Sequence, residues 1–520
     1  MTGTRSAALF AHALFLLVLF PPVAEAQPAP LTGLDSYIES AMRDWEVPGL
    51  AIAVVRNDSV LFARGYGVAE LGQPAPVDEH TLFAIASTTK AFTTGLLGML
   101  VDEGKLSWDD RVTMHLPWFE LKDPYVTREL TIRDLLTHRV GVARHDNLWI
   151  AAPFGRTEIL RRARHLPMVD GFREDYGYNN IMYITAGEVV GQVFGGSWDD
   201  FLEERIFEPL GMARSTSRAH VVEARGNVAA SHTEVDGSVR AVPRRDYDNI
   251  GGAGAIFSSA WDMAQWIRLH LGRGEYDGER VLSDSVLAEM YTSHTVIRSD
   301  SVADRLYPDT HFRAYALGWR LQDYQGRKLV NHSGSINYTR TQVSMIPSEG
   351  IGVVAMANLS SSSLQLAVTL RVLDALMGLE PRDWSAEYLE IARRREGRSG
   401  ESARKLEEDR LEGTHPSREL ERYVGTFTDE LFGEMRVALE GEELVLHYSP
   451  EYVADLRHWH HDTFRAVWRR PGAGRAFVTF ALDERGRIPS VEVEGFGTFQ
   501  RATGPEAEEE RGAEGGAGGR

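Results

Sequence analysis

The chain has 520 residues, of which 43% are hydrophobic and 25% are charged, a balance that is typical of globular protein. Its length predicts two or more domains, and its formal net charge of −19 argues against nucleic acid or an anionic membrane surface as a partner. The sequence contains no cysteine, which excludes disulfides, thiolate catalysis, thiolate metal sites and a lipid-modified N-terminal cysteine.

The first 26 residues have the pattern of a secretory signal peptide. Arg5 supplies a basic start, residues 7–20 form an apolar run, and Ala24-Glu25-Ala26 is a small-x-small cleavage site. We therefore expect a bacterial protein that is periplasmic or secreted, with no stable membrane span after cleavage. An uncleaved membrane anchor is the alternative, and the shortness of the apolar run argues against it.

The next 350 or so residues predict a mixed α/β core. A hairpin with a turn at Asn57-Asp58 comes early, and a helix begins at Ser87 and ends at Gly104. Further helices are expected at 34–45, 181–193, 260–271 and 363–377, and strands at 50–55, 60–68, 316–321, 328–332, 339–346 and 351–357. Strands from both ends of this segment enclose a helical insert, and this pattern predicts an α/β sandwich.

A second folded unit is expected after a charged connector. Residues 385–418 are crowded with Arg and Glu and predict an exposed helical linker between one domain at 27–384 and another at 419–502. About six short strands between residues 423 and 494 indicate a small antiparallel sheet or β-barrel. Residues 503–520 are rich in Glu, Gly and Ala and are expected to be disordered.

Ser87 and Lys90 are the most informative pair in the chain. One turn apart on a helix, they share a face, and a lysine whose pKa is lowered by burial can activate a serine hydroxyl. Lysine is scarce, with five in the chain, and Lys90 stands among apolar neighbours. The alternative is a capping serine with a lysine that extends to solvent, and a second match at Ser402 and Lys405 warns against the pattern alone.

Tyr178 and Asn180 are candidates for the proton shuttle that a Ser-Lys hydrolase also needs. They precede an apolar helix, and a tyrosine of lowered pKa could act as acid or base while the asparagine holds a substrate amide or the lysine. The alternative is a half-buried structural tyrosine and a helix-capping asparagine. Tyr247-Asp248-Asn249 repeats the pattern beside a glycine-rich loop.

His332, Ser333, Gly334 and Ser335 end a predicted strand. Small residues there would let a substrate lie along the strand edge. The backbone N–H of Ser335 could then join that of Ser87 in an oxyanion hole. The alternative is a strand-ending turn with a solvated histidine.

Taken together, these motifs resemble those of the serine β-lactamase and penicillin-binding-protein superfamily, and above all its class C β-lactamase-like group, peptidase family S12. The motifs, in chain order, are Ser87-x-x-Lys90, Tyr178-x-Asn180 and His332-Ser333-Gly334. Stretches at 82–90, 130–142, 207–212 and 315–319 also resemble the family, and the likeness covers residues 30–375. The C-terminal segment resembles the lipocalin-like domain that is often appended to such hydrolases.

The resemblance implies a fold and a role for each residue. The fold would be a β-lactamase/transpeptidase-like sandwich, an antiparallel sheet flanked by helices with an all-helical insert, followed by a small antiparallel β-barrel. Ser87 would form the acyl-enzyme, Lys90 and Tyr178 would share the proton transfers, and Asn180 would hold substrate and polarise the site. Backbone N–H groups of Ser87 and Ser335 would bind the oxyanion.

The third motif departs from that of true β-lactamases. His332 stands where they have a lysine, and histidine is charged only part of the time near neutral pH. With Ser333 and Gly334 lining the substrate, this change favours ester or peptide substrates over efficient β-lactam hydrolysis. In the 130–142 stretch, His138-Arg139-Val140-Gly141 replaces the family's His-Thr-Ser-Gly, so that loop has no assigned role.

The expected function is therefore a serine hydrolase of small esters, amides or D-amino-acid peptides, with peptidoglycan fragments among its possible partners and no cofactor. A true class C β-lactamase and a non-catalytic receptor for peptidoglycan fragments or lactams are the alternatives. The His458-Trp459-His460-His461 cluster is interpreted as a surface loop that carries Trp459 into a small core. It is not taken as a metal site, because alternating histidines on a strand face opposite ways and no HExxH motif exists.

Overall fold

A computed structural model of the chain describes residues 29–502, so the predicted signal peptide and C-terminal tail lie outside the described residues. An antiparallel sheet of eight strands, in the order β2-β1-β8-β7-β6-β5-β4-β3, forms the centre of the larger part. The strands are β1 Gly49–Arg56, β2 Ser59–Gly67, β3 Thr295–Val296, β4 Arg313–Tyr315, β5 Arg320–Tyr324, β6 Arg327–Ile336, β7 Thr339–Ile346 and β8 Ile351–Ala357. Because β1 pairs with β8, strands from both ends of this part share one sheet, as the sequence predicts.

Six helices of the described residues have eleven or more residues. They are α1 Leu34–Asp44, α2 Thr89–Asp102, α3 Asn180–Phe194, α4 Ala260–Leu271, α5 Leu364–Leu376 and α6 Trp384–Glu408. Residues of β1 alternate between two cores, as the period of a strand requires. Leu50 and Ile52 pack in the core that contains α1 and α5, and Ala51 and Ala53 pack in the core that contains α2 and α4.

Shorter elements fill the segment between β2 and β4. The α-helices are Val112–His115, Pro124–Glu129, Ile132–Leu136, Asn147–Ile150, Arg156–Arg162, Trp198–Leu202, Ala219–Arg225, Gly251–Gly254, Asp284–Met290 and Ser301–Leu306. Three strand pairs accompany them: Phe83–Ala84 with Phe257–Ser258, Ser231–Val235 with Ser238–Val242, and Glu275–Tyr276 with Glu279–Arg280. The α/β sandwich with a helical insert is thereby confirmed.

The C-terminal part is a closed antiparallel barrel of eight strands, where the sequence predicted about six. The strands are β9 Gly425–Asp429, β10 Gly433–Glu440, β11 Glu443–Ser449, β12 Tyr452–His460, β13 Thr463–Trp468, β14 Arg475–Ala481, β15 Ser490–Val493 and β16 Gly497–Arg501. Pairing of β9 with β16 closes the barrel. The predicted barrel-like domain is confirmed, and the sequence missed β12 and β16.

His458, Trp459 and His460 lie on β12 and His461 directly follows it, so the interpretation of this cluster as a surface loop was wrong. Trp459 is buried and packs between Phe477 and the guanidinium of Arg465. Among residues 29–502, no group of three or more His, Cys, Asp or Glu side chains is arranged to hold a metal ion. Within the same residues, no helix is both long enough and apolar enough to cross a bilayer.

The predicted strand at 316–321 was wrong over its first four residues. Residues 316–319 form a turn between β4 and β5, with a hydrogen bond from the Ala316 N–H to the Trp319 carbonyl (2.8 Å). Gly318 has a φ of 79°, and a Cβ there would lie 2.9 Å from the Cα of Ala91 and 3.0 Å from the carbonyl oxygen of Lys90. This turn therefore packs directly on α2 at the base of the candidate site.

Candidate active site

Ser87 lies in a short 3-10 turn, Ala86–Thr88, that leads into α2. The preceding residue, Ala86, has a φ of 49°, a left-handed conformation that is uncommon for a residue with a side chain. Such strain often marks functional positions. Ser87 is half-buried, whereas its neighbours Ala86 and Thr88 are fully buried. The turn therefore presents the hydroxyl at the surface of an otherwise buried segment.

Lys90 is fully buried beneath this hydroxyl. Its Nζ lies 2.7 Å from Oδ1 of Asn180, 2.8 Å from the carbonyl oxygen of Ala253 and 3.3 Å from Oγ of Ser87. The first two partners are acceptors only, so the amine donates a hydrogen to each. A neutral amine has two hydrogens and one lone pair, and the lone pair is then left for Ser87.

The surroundings of Lys90 favour that neutral amine. Burial lowers the pKa of Lys90 well below its usual range, and the positive charges of Arg144 and Arg320 lower it further. The carboxylate of Asp146 opposes this change. Burial is the largest effect, so Lys90 can accept a proton from Ser87.

Asn180 is oriented by two partners. Its Oδ1 accepts from Lys90, and its Nδ2 donates to Oδ1 of Asp146 at 3.0 Å. Asp146 also accepts from Nε of Arg144 (2.7 Å) and from Nε1 of Trp149 (2.9 Å). This chain of contacts fixes the carbonyl of Asn180 towards the lysine and leaves one N–H of its amide for a substrate.

Tyr178 lies over Lys90, with the amine 5.0 Å from its ring centre. Burial raises the pKa of Tyr178, and the nearby hydroxyl of Ser87 offsets only part of this rise. The sequence reasoning considered a tyrosine of lowered pKa, and the structure shows the opposite. Tyr178 is therefore a phenol near neutral pH, able to pass a proton on but unable to act as a phenolate base.

His138 fixes the backbone segment that carries Tyr178 and Asn180. Its carbonyl accepts the N–H of Gly177 (2.8 Å), and its Nδ1 accepts the N–H of Asn179 (3.2 Å). Its ring also lies 4.1 Å from that of Tyr178. Although the three residues after His138 differ from the family pattern, His138 itself accepts hydrogen bonds from the backbone on both sides of Tyr178.

The third motif forms the end of β6. Gly334 packs closely on the backbone of Ile85, two residues before Ser87. A Cβ on residue 334 would lie only 2.1 Å from the carbonyl oxygen of Ile85. β5 pairs with β6 only as far as Asn331, so residues 332–336 have β7 on one side and, in the described residues, no strand on the other.

The backbone direction at this edge follows from the turn that ends β6. Asn337 and Tyr338 have φ of 50° and 56°, as a two-residue type I′ turn requires. In such a hairpin the closing pair is hydrogen bonded and the pattern alternates, so the polar backbone groups of Ser333 and Ser335 point away from β7. The N–H of Ser335 therefore faces the open edge, on the side where Gly334 meets the turn before Ser87.

His332 is buried behind this edge, with both ring nitrogens occupied. Nε2 lies 2.9 Å from the hydroxyl of Tyr315, and Nδ1 lies 2.7 Å from the carbonyl oxygen of Ser333. The carbonyl can only accept, so the proton is on Nδ1 and Tyr315 donates to Nε2. Burial lowers the pKa of His332 well below its usual range, so the ring is neutral at pH 7 and does not replace the charge of a lysine.

Arg320, at the start of β5, is a cation beside the site with no carboxylate partner among the described residues. One of its guanidinium N–H groups donates to the hydroxyl of Tyr176 (3.2 Å), and its Nε is buried without a partner in this part of the chain. Its charge lowers the pKa of both Lys90 and His332. Sequence reasoning missed Arg320, although it directly follows the 315–319 stretch that resembles the family.

The repeated pattern Tyr247-Asp248-Asn249 holds loops in place. Nδ2 of Asn249 donates to the carbonyls of Trp149 and Phe154, and Asp248 accepts the N–H of Ala219. The short glycine-rich helix after it, Gly251–Gly254, supplies the carbonyl of Ala253 to Lys90, a backbone contact with no side-chain signal in the sequence. The other second match, Ser402 and Lys405, is exposed on α6.

Comparisons with known proteins agree with this geometry. A family model described as Beta-lactamase matches residues 34–376, and a model described as a domain of unknown function (DUF3471) matches residues 409–510. The unguisins hydrolase ungD of Aspergillus violaceofuscus (strain CBS 115571) is 29% identical, covering 88% of this chain and 87% of its own. The unguisins hydrolase ungD' of Aspergillus campestris (strain IBT 28561) is 31% identical and covers 68% of each chain.

Among solved structures, the octameric penicillin-binding protein homologue from Pyrococcus abyssi has the same fold. Its TM-score is 0.61 at 23% identity, and the match covers 89% of this chain and 98% of that one. The named hydrolases among the sequence relatives support a serine hydrolase in the general sense. Because the first family model spans more than half of the chain, this chain belongs to the β-lactamase family.

Proposed function

We propose that the protein is an acyl-transfer hydrolase that forms an acyl-enzyme on Ser87, with Lys90 as the general base. The observation that carries the proposal is the arrangement of Lys90. Its amine is fully buried, donates to two fixed oxygens and keeps its third direction for a hydroxyl 3.3 Å away. A surface lysine, or a capping serine with an extended lysine, would lack all three properties.

In the first step the Oγ–H proton of Ser87 passes to Nζ of Lys90 while Oγ forms a bond to the substrate carbonyl carbon. The carbonyl electrons move to oxygen, and the N–H groups of Ser87 and Ser335 are the proposed donors for that oxyanion. The proton then moves from Lys90 through the phenol of Tyr178 to the leaving nitrogen or oxygen. The carbon–leaving-group bond breaks, and the acyl group stays on Ser87.

In the second step water takes the place of the leaving group. As the water attacks the ester carbonyl, its proton passes through the phenol of Tyr178 to Lys90. The proton returns to Oγ of Ser87 when the carboxylic acid departs. Asn180 contributes by holding Lys90 in position, and its remaining amide N–H is available to the substrate carbonyl on the acyl side.

Arg320 supports a substrate whose leaving group carries a carboxylate. It is a partly buried guanidinium, close enough to the site to lower the pKa of Lys90, and within residues 29–502 it lacks an anionic partner. A bound carboxylate would supply that partner with strong, charge-assisted hydrogen bonds. We therefore propose peptides with a free C-terminal carboxylate as substrates, including D-amino-acid peptides of the kind found in peptidoglycan, which the predicted export signal would bring within reach.

The test of the catalytic proposal is covalent labelling. A fluorophosphonate probe should add one equivalent to the wild type, as seen by intact mass, and none to Ser87→Ala. Ser402→Ala is the matched control, because Ser402 belongs to the exposed second match, and it should label like the wild type. Absence of an adduct on Ser87 would favour the non-catalytic receptor, and many rapid turnovers of a chromogenic cephalosporin would favour a true β-lactamase.

The test of the substrate class uses peptide pairs that differ only at the C-terminus. Peptides ending in D-Ala or L-Ala should be hydrolysed faster with a free carboxylate than with an amide, and Arg320→Gln should abolish the difference. Arg327→Gln, at a β6 arginine that is already paired with Glu349, is the control. An undiminished preference in Arg320→Gln would contradict this part of the proposal.

A further inference from the structure

The barrel docks on three segments that hold catalytic groups. Nδ2 of Asn147, the residue after Asp146, donates to the carbonyl of Gly495 (2.8 Å). The hydroxyl of Tyr338, in the turn after Ser335, donates to the carbonyl of Pro471 (2.9 Å). The third segment, 243–247, lies just before the short helix Gly251–Gly254 that carries Ala253.

That third contact is an ion pair between a nearly buried arginine and an exposed glutamate. Nε of Arg245 lies 2.7 Å from a carboxylate oxygen of Glu451, and the arginine side chain is only 9% exposed. Arg470 shares the same carboxylate (2.8 Å) and donates to the carbonyl of Pro243. The barrel is therefore fixed to the rim of the candidate site by several polar contacts.

A cavity of about 420 Å³ remains between the two parts at this rim. Ser335 of β6 lines it on one side, and most of its aromatic lining comes from Tyr247, Tyr338, Tyr452, Trp468 and Phe496. The barrel residues form a connected wall, since the ring of Trp468 contacts those of Tyr452 (5.3 Å) and Phe496 (6.2 Å). These rings suit the apolar part of a substrate, while the polar side chains of the lining, among them Asn147, Asn337 and Ser360, can bind its backbone.

The position of the cavity along β6 indicates which part of a substrate reaches it. Arg320 lies opposite Asn331 at one end of the open edge, and Ser335 lies four residues further along. At about 3.3 Å per residue this separation is about 13 Å. An extended peptide added to this edge, with its C-terminal carboxylate at Arg320, directs its acyl side towards the barrel.

We propose that this cavity is a subsite for a bulky apolar side chain on the acyl side of the scissile bond, so that the barrel selects the substrate. The inference rests on the proposed function. Arg475 and Glu494, both exposed, add one charge of each sign to the lining, and these groups can bind the polar backbone of the same peptide. The occupant is thus an aromatic or large aliphatic residue of a peptide.

The experiment compares two esters with the same leaving group, p-nitrophenyl acetate and the p-nitrophenyl ester of N-acetylphenylalanine, the latter in both D and L forms. Ala473→Trp narrows the cavity from a half-buried loop position on the barrel. We expect the ratio of kcat/KM for the phenylalanine ester to that for the acetate to fall at least about tenfold, as expected when one apolar contact region is lost. The control is Ala481→Trp, at an exposed barrel position outside the cavity, which should leave both rates unchanged.

The outcomes separate this inference from the proposed function. If the wild type neither labels at Ser87 nor hydrolyses either ester, the proposed function is wrong. If the wild type is active and Ala473→Trp labels normally but keeps the wild-type ratio, only the subsite is wrong. If Ala473→Trp does not fold, Trp468→Ala is the second variant. It enlarges the cavity, so it should lower the preference for the phenylalanine ester and raise the preference for a larger naphthylalanine ester. An unchanged order of preference would overturn the proposal.

Discussion

Lys90 should be a neutral amine at pH 7, and the proposed chemistry depends on this state. Burial lowers the pKa of Lys90, and the charges of Arg144 and Arg320 lower it further. The chain has only five lysines, so labelling with ε-¹³C-lysine gives five NMR titration curves, and Lys90→Arg identifies the one of interest. We expect that curve to lie well below the pKa of a model lysine. A Lys90 curve at the model value would refute the reasoning.

The same property predicts how stability depends on pH. Between the folded pKa of Lys90 and its unfolded value of about 10.4, the unfolded chain binds more protons than the folded one. The free energy of unfolding of the wild type relative to Lys90→Met should therefore rise by about 1.4 kcal/mol per pH unit in this window, and the gain is lost as pH falls towards the folded pKa. Urea unfolding at several pH values between 7 and 9 measures the difference. Equal slopes for the two proteins would contradict a depressed pKa.

Catalytic activity should also depend on the protonation state of Lys90. Lys90→Arg keeps a positive charge but cannot lose its proton, so kcat/KM should fall by about 10²–10⁴, the usual contribution of a general base. In the wild type, activity should be lost as pH falls through the pKa of Lys90, because the protonated amine has no lone pair for Ser87. The matched control is Lys105→Arg, whose lysine is exposed and paired with Glu103, and it should have wild-type activity.

Three further changes test the supports of the site. His138→Ala removes the acceptor for a backbone N–H beside the catalytic tyrosine and should lower kcat about tenfold; His138→Asn, which tolerates the φ of 55°, should retain more activity in the same assay. Tyr315→Phe leaves Nε2 of His332 without a donor, so urea unfolding should show a loss of about 1–3 kcal/mol; an unchanged midpoint would contradict the hydrogen bond. Gly334→Ala should slow fluorophosphonate labelling at least about tenfold, because its Cβ cannot fit 2.1 Å from a backbone oxygen. Gly397→Ala, with no atom within 4 Å of the added Cβ, should label at the wild-type rate.

The sequence predicted those parts of the site that depend on local spacing and on side-chain chemistry. The turn that links Ser87 to Lys90 places both groups on one face, and the edge position of Ser335 follows from a strand that ends in a tight turn. Helices α1 to α5 were predicted within two residues of their ends, because each is a long apolar segment with recognisable start and stop residues, whereas α6 ends at Glu408, ten residues before the end of the predicted linker. The fold class was predicted for the same reason.

Contacts made by backbone atoms or across long loops could not be predicted. The position of the Ala253 carbonyl depends on where a four-residue glycine-rich helix packs, and Asp146 reaches Asn180 from a segment that resembles no motif. The raised pKa of Tyr178 depends on how deeply the assembled fold encloses it, which local sequence does not specify. In the barrel, β12 was missed because its His and Arg residues suggested a solvated loop, although the alternate residues of this strand are buried.

The ion pair between the nearly buried Arg245 and the exposed Glu451 has a practical consequence for work with fragments of this protein. If the part before the barrel is expressed alone, Arg245 loses its carboxylate partner, and the rings of Tyr247 and Tyr338 that face the barrel become exposed. We therefore expect the fragment to self-associate. Loss of activity in such a truncated protein would then result from aggregation and from a disturbed end of β6, not from a missing catalytic group. Point substitutions in the intact chain are therefore the informative route.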